Sequence, residues 1–250
     1  MSENRQMISE NVHRVQAIIA EACERADRPM QSVTLVAVCK TKPIEMVLDA
    51  YAAGVRHFGE NRVEEALPKI RAVNGAVGEA PAWHMIGHIQ SRKAKEVAGH
   101  GAERPFALVH SVDDSALAER LSRLVMERGG GAQAWLAQVN VSGEASKSGF
   151  EASAWRRDKA QFDVLATQLK AACALPGLTL RGLMTMAPIA EDMETVRPVF
   201  RELRGLRDAL EQVLGVGLPE LSMGMTDDYP AAIEEGATLV RVGRAIFGER

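Results

Sequence analysis

The feature that most constrains this chain is a rhythm: eight short β-rich runs, each followed by a loop of Gly, Pro or polar residues and then by a helical segment or the end of the chain. The runs read as strands at 33–39, 56–58, 82–86, 106–110, 134–139, 179–183, 220–222 and 238–242, with helices at 44–53, 63–73, 92–98, 115–128, 152–172, 193–214 and 229–235. An amphipathic helix precedes them, since Ile8, Val12, Val15, Ile19, Ala22, Cys23 and Ala26 recur at helical spacing and Arg28-Pro29 ends it. Eight such units in 250 residues predict an α/β fold, a single (β/α)8 TIM-type barrel with an extra N-terminal helix. A doubly wound open sheet is the alternative, and its dinucleotide-binding form is disfavoured because no G-x-G-x-x-G turn follows the first strand. The stretch "ERGGGAQ" at 127–133 is a helix stop before a strand rather than a linker, so residues 1–250 read as one domain.

Composition then excludes several classes. With 46% hydrophobic and 25% charged residues the chain has the material for a sizeable core, and its net charge of −3 gives no reason to expect nucleic acid or an anionic membrane. Cys23, Cys39 and Cys173 are widely spaced and form no C-x-x-C pair, so neither a disulfide framework nor a metal site is expected. The opening "MSENRQMISE" lacks an apolar targeting region, and no apolar run approaches the roughly 20 residues of a membrane span. A cytoplasmic location is the expectation.

In a barrel, functional residues belong where strands end and loops begin. Two places stand out. Ser222-Met223-Gly224-Met225-Thr226 follows the seventh strand and Gly243 follows the eighth, the pair of loops that often binds phosphate. Ser222 and Thr226 offer hydroxyls, while Gly224 and Gly243 let backbone N–H groups approach an anion; the bland alternative is a helix cap at Thr226 or Asp227 with glycines serving turns. The other place is "VCKTKP", where Lys40 shares a strand face with Thr34, Val36 and Val38. A lysine past a strand is usually solvated, but one in an apolar setting is suited to imine formation. A phosphate site and such a lysine in one barrel imply pyridoxal 5'-phosphate (PLP), although the residues alone do not choose Lys40 over Lys42.

The ordered motifs "AVCKTKP", "FGENRVEEA", "WHMIGHIQSRKAK", "VHSVD", "QVNVSGEASKSGF", "RGLMTMAP", "LSMGMTDDYPAAIEEGATLVRVG" and "AIFG" span nearly the whole chain. Together they resemble the pyridoxal phosphate homeostasis proteins, relatives of the alanine racemase N-terminal barrel. The resemblance implies that Lys40 forms the internal aldimine, that Ser222, Gly224, Thr226 and Gly243 surround the phosphate with Met225 contributing backbone, that Asn61 and His84 lie beside the ring, that Met184 packs on it, and that Arg241 faces the pyridine nitrogen. An arginine there has donors only, so the nitrogen stays unprotonated and the ring is a weaker electron sink. Departures from the usual pattern are His88 where proline is common, Arg92 where asparagine is common, Thr226 for serine, and the helix entry Tyr229-Pro230.

The racemase relatives take a second base, a tyrosine, from a C-terminal domain; here the last strand is followed by eight residues. Tyr51 reads as packing, and Tyr229, near the phosphate loop, is a candidate base. The resulting expectation is a protein of vitamin B6 homeostasis that holds PLP and passes it to recipient apo-enzymes, as a monomer or weak dimer and without catalytic residues. The alternatives are a small PLP-dependent racemase or decarboxylase, with His84, His88 or Tyr229 as second base, and a barrel enzyme acting on a sugar phosphate. His57, His100 and His110 show no metal-ligand spacing and read as ordinary, as do the charged helix faces; Lys147 is a weak candidate for contacting a phosphate compound on its way in or out.

Overall fold

A computed structural model describes residues 3–100, 104–144, 147–190 and 192–249. Helix α1 (Glu3–Arg25) leads through a 3-10 turn to β1 (Thr34–Val38), α2 (Ile44–Ala52), β2 (His57–Glu60), α3 (Val63–Ala76) and β3 (Ala82–Met85). A second 3-10 turn (Ser91–Lys93) runs into α4 (Ala94–Val97), followed by β4 (Leu108–Val112), α5 (Ser115–Arg128), β5 (Gln133–Asn140), β6 (Phe150–Glu151) and α6 (Lys159–Cys173). The chain continues as β7 (Leu178–Met184), α7 (Met193–Leu214), β8 (Glu220–Ser222), α8 (Tyr229–Glu234), β9 (Leu239–Val242) and α9 (Arg244–Phe247).

Eight of these strands close on themselves in the order β1, β2, β3, β4, β5, β7, β8, β9, every neighbouring pair parallel, with β9 returning to β1. The sheet is therefore a (β/α)8 barrel and not an open doubly wound sheet. Two-residue β6 adds to the end of β5 outside the cylinder.

Alternation along each strand separates two cores. Val36, Leu108, Leu136, Met184 and Leu239 form a compact inner cluster, while Ala37, Phe58, Trp83, Trp135, Leu183 and Val240 face the helical ring. Strands β7 and β8 approach closely enough to need glycine: a Cβ at Gly182, whose φ is 157°, would lie 1.8 Å from the carbonyl oxygen of its register partner Glu220.

Helix α1 lays Ile8, Val12, Val15, Ile19, Ala22 and Cys23 against the barrel and packs on α2, α8 and α9, so it bridges the first and last units. Arg28 fixes the crossing by donating to the carbonyls of Ile233 (2.6 Å) and Ala237 (2.9 Å), and Asn11 donates to Ile246 O (3.0 Å).

The largest departure from the periodicity reading is α6, which starts at Lys159 rather than 152 because residues 153–157 form a turn. Asp158 then caps the helix, accepting from the Ala160 and Gln161 N–H groups. The segment read as a helix at 92–98 is mostly a 3-10 turn and one α-helical turn, and α9 is a four-residue addition.

Candidate functional site

Lys40 sits two residues beyond β1, in a turn whose outer side is clamped. Cys39 N still donates to Gly59 O (3.0 Å), continuing the ladder, and Thr41 then turns left-handed with φ 63°. That conformation is costly for a β-branched residue, of order 1–3 kcal/mol. It is held by Thr41 N donating to Glu65 Oε1 (2.5 Å), and Glu65 is in turn bound by Lys69 (3.1 Å). Lys69, 5% exposed, also donates to Cys39 O (2.8 Å) and to Glu60 Oε1 (2.5 Å), with Cys39 Sγ 3.2 Å from the same oxygen. Burial pushes the Glu60 carboxyl up and Lys69 pulls against that, while the Lys69 ammonium, which burial disfavours, is held above its ordinary range by Glu60 and Glu65.

The lysines that sequence alone left undecided are separated by their surroundings. Lys42 Nζ donates to the carbonyls of Phe247 (3.2 Å), Gly248 (3.1 Å) and Glu249 (2.8 Å), which binds it to the turn after α9. Lys40 lines a cleft of about 380 Å³ together with Val38, Thr41, Lys42, Gly243 and Arg244, so the two lysines share the cleft and what sets Lys42 apart is its bonds to those carbonyls.

The phosphate-loop candidates form one body. Arg241 N donates to Gly224 O (3.0 Å), joining the loop after β8 to the strand that leads to Gly243. Gly224 has φ 92°, and a Cβ there would lie 2.6 Å from the Ala232 Cβ, so the loop folds directly over α8. Asp228 Oδ1 accepts from Met225 N (2.6 Å) and fixes the loop from beneath. Burial raises the Asp228 carboxyl, with Met225 N–H and Arg241 acting in the opposite direction. Thr226 and Met225 are partly exposed at the same rim.

Ser222, expected beside a phosphate, lies lower, completely buried at the end of β8. Its Oγ accepts from Arg241 Nη1 (2.5 Å), and Arg241 Nη2 donates to Thr185 O (2.9 Å). Arg241 is 5% exposed, and burial lowers its pKa to about 10, opposed by Asp228. Ser222 Oγ is also 2.8 Å from His110 Nδ1; His110 Nε2 is 2.8 Å from His84 Nδ1, and His84 Nε2 is 2.9 Å from His57 Nδ1. His84 is thus enclosed between two other imidazoles, and its pKa falls to about 3 through burial with His57 adding to the effect. His57 and His110 were passed over in the sequence, where a signal existed: the three histidines are 27 and 26 residues apart, one β/α unit each, and so fall on consecutive strands. Met184, completely buried, belongs to the inner apolar cluster.

Other candidates lie apart. Asn61 borders a different cleft, about 360 Å³, with Arg62, Gly87, His88 and Gln90. His88 Nδ1 is 3.0 Å from Asp113 Oδ2, so the unusual histidine is tied to the end of β4. Tyr229 is packed in the outer core, and burial, helped by Glu21, raises its phenol to about 12, unsuited to a base near neutral pH. Tyr51 donates to Glu79 O (2.8 Å), and Lys147 spans from the loop after β5 to Met186 O (2.9 Å); residues 145 and 146 of that loop lie outside the described residues. Among the described residues no helix is long and apolar enough to cross a membrane, and no cluster of three or more His, Cys, Asp or Glu side chains could hold a metal ion.

The donor set suits a phosphorylated pyridine aldehyde. The cleft offers a lysine for the aldehyde and the backbone of Gly243, and the strand leading to Gly243 is hydrogen-bonded through Arg241 N to a loop that needs a residue without Cβ at Gly224. Beneath lies a guanidinium with five N–H donors, of which the bonds to Ser222 and Thr185 use two.

The family model for the alanine racemase N-terminal domain matches residues 11–250. The pyridoxal phosphate homeostasis protein of Pseudomonas aeruginosa is 44% identical over 246 residues, 97% of this chain and 96% of the relative. That of Aquifex aeolicus is 39% identical over 241 residues, 96% and 97% of the two chains. Among solved structures, PipY of Synechococcus elongatus with PLP bound superposes with a TM-score of 0.74 at 37% identity, covering 92% of this chain and all (100%) of that one. Alanine racemase from Corynebacterium glutamicum, at 16% identity and a TM-score of 0.69 over 98% of this chain and 62% of its own, shares the fold.

Proposed function

Because the chain belongs to the alanine racemase N-terminal domain family, and is similar over nearly its whole length to pyridoxal phosphate homeostasis proteins, we propose that it is a cytoplasmic PLP carrier of vitamin B6 homeostasis. It holds the cofactor covalently through Lys40 and yields it to recipient apo-enzymes. The observation that carries this reading is the meeting, at the C-terminal end of the barrel, of Lys40 and Gly243 in one cleft with the loop over Gly224 hydrogen-bonded to Arg241.

The side chains divide the work. Lys40 bonds the aldehyde carbon. The Thr226 hydroxyl and the backbone of Gly224 and Gly243 hold the phosphate; the Met225 N–H is committed to Asp228, and Asn61 borders a different cleft. Arg241 presents a donor to the pyridine nitrogen, Ser222 fixes the guanidinium, His84 acts from below through His110, and Met184 provides apolar support. When bound, the cofactor supplies an aldehyde for amines and an electron sink, which a donor that keeps its proton leaves weak. Tyr229, buried and hard to ionise, offers no second base, so storage rather than turnover fits the site.

The test is the absorbance of freshly purified protein, followed by borohydride reduction and peptide mapping. A yellow protein whose label maps to Lys40, with loss of labelling in Lys40→Ala, is the expected result. A colourless protein that takes up no added PLP would return a sugar-phosphate enzyme to first place. Rapid stereospecific exchange of amino-acid α-protons in deuterated water would make the protein a racemase instead.

A further inference from the structure

The file of side chains Arg241, Ser222, His110, His84 and His57 has one direction in which the Ser222 hydroxyl hydrogen meets an acceptor within it. A guanidinium only donates, so Ser222 Oγ accepts from Arg241 at 2.5 Å and its one hydroxyl hydrogen points to His110 Nδ1 at 2.8 Å. A neutral His110 whose Nδ1 accepts must carry its hydrogen on Nε2, which donates to His84 Nδ1 at 2.8 Å. The same step repeats at His84, whose Nε2–H donates to His57 Nδ1 at 2.9 Å, and it leaves the His57 hydrogen on Nε2. Running the file the other way would set Arg241 and His110 donating to the two lone pairs of Ser222 Oγ and would leave its hydroxyl hydrogen without an acceptor in the file. One donor-only group at the top therefore biases the tautomer of three rings.

The rings are also required to be neutral. An extra proton on His84 would set its Nδ1–H against the Nε2–H of His110 at 2.8 Å, and one on His110 would set its Nδ1–H against the Ser222 hydroxyl hydrogen at 2.8 Å. Burial lowers both pKa values, with His57 adding to the effect at His84, and His84 and Arg241 adding to it at His110.

Each ring in the Nε2–H form turns its negative end toward Arg241. That matters because Arg241 is a buried cation, 5% exposed, whose compensating carboxylate is Asp228. At the other end, burial lowers the His57 pKa and Glu220 acts in the opposite direction. The file is an aligned row of dipoles whose negative ends face a guanidinium.

We propose that His110, His84 and His57 are positioning residues for Arg241: a tautomer-locked file that keeps the guanidinium charged and aims the Ser222 hydroxyl away from it, so that a bound pyridine nitrogen meets a fixed N–H donor. The last clause rests on the PLP reading; the tautomers and the lock do not.

The experiment is long-range 1H–15N correlation on the full chain, labelled at histidine and free of cofactor, at pH 7. His110, His84 and His57 should each show an acceptor-type Nδ1 and a protonated Nε2. An Nδ1–H tautomer or an imidazolium at His84 or His110 overturns the proposal. In Ser222→Ala the lock is cut while the rings stay, and His110 and His84 should become tautomer mixtures; unchanged tautomers there would show that Arg241 does not set the direction.

PLP binding supplies the second readout. His110→Phe should weaken it about tenfold, the equivalent of about 1.4 kcal/mol. His110→Gln, which can accept from Ser222 and donate to His84, should restore it to within about twofold, and failure of that rescue with both variants folded counts against the file. Should His110→Phe not fold, the wild-type spectra and Ser222→Ala decide the question. Locked tautomers in a protein that fails to attach PLP at Lys40 would refute the carrier reading and leave the file standing. Mixed tautomers in a protein that does attach it would do the reverse.

Discussion

Replacing Lys69 by methionine isolates the energetics of the clamp behind Lys40. The change keeps most of the side-chain volume but removes the ammonium that contacts Cys39 O, Glu60 and Glu65. Glu60 is then a fully buried carboxylate without its counter-charge, with Oε2 already unpaired, and removing one partner of such a pair costs about 3–5 kcal/mol. Protonation offers Glu60 an escape, at ~1.4 kcal/mol for each pH unit above its unfolded value of about 4.3. At pH 8 that escape costs about 5 kcal/mol, no cheaper than the unpaired charge; at pH 5 it costs about 1 kcal/mol.

The sign follows from linkage. Burial already holds the folded pKa of Glu60 above the unfolded one and the variant raises it further, so stability is retained below the unfolded value and lost as pH rises toward the folded value. With about 1 kcal/mol more for the lost bond to Cys39 O, Lys69→Met should cost about 2 kcal/mol at pH 5 and about 4–6 at pH 8. Urea unfolding at the two pH values reads this as a midpoint that moves by about 0.7–1.3 M more at pH 8 than at pH 5, relative to wild type, at a slope of about 3 kcal/mol/M that does not change. The double change Glu60→Gln with Lys69→Met should remove the additional pH dependence. A Lys69→Met penalty that is the same at both pH values, or a double variant with the same extra loss at pH 8, would refute the argument.

Lys42→Ala should cost about 1–2 kcal/mol through the lost bonds to the carbonyls after α9, yet leave borohydride labelling on Lys40, as mass spectrometry of the reduced protein would show. Gly224→Ala forces a Cβ to within 2.6 Å of the Ala232 Cβ at a φ of 92°, so PLP uptake measured by absorbance should fall at least about tenfold. Tyr229→Phe should leave both PLP uptake and amino-acid α-proton exchange unchanged, since the phenol is held protonated in the core.

The barrel was legible because a buried parallel strand followed by a helix repeats at a length the chain can count, and β8, α5 and α7 fall where the pattern puts them. Helix α6 was misplaced because Trp155 and Phe162 carry the apolar period through a turn, while the true start rests on one capping carboxylate, Asp158. Local pattern likewise could not separate Lys40 from Lys42, since what distinguishes them is contact with carbonyls some 205–207 residues away. The histidine file escaped for the same reason: each member is unremarkable on its own strand, and the chemistry exists only where neighbouring strands bring the rings within 2.8–2.9 Å.

Helix α1 closes the seam between the first and last units, and this sets an order on the life of the nascent chain. Asn11 finds its partner at Ile246, 235 residues later. At ~5–20 residues per second, on the order of 10–50 s pass between their synthesis. For that interval α2 is already made, but the part of the stripe of Ile8, Val12, Val15 and Ile19 that faces α8 and α9 lies open to chaperones or to another chain's stripe. Closure of the cylinder is necessarily a late event, and exchange of α1 between two half-made barrels is the misassembly to which this architecture is most open.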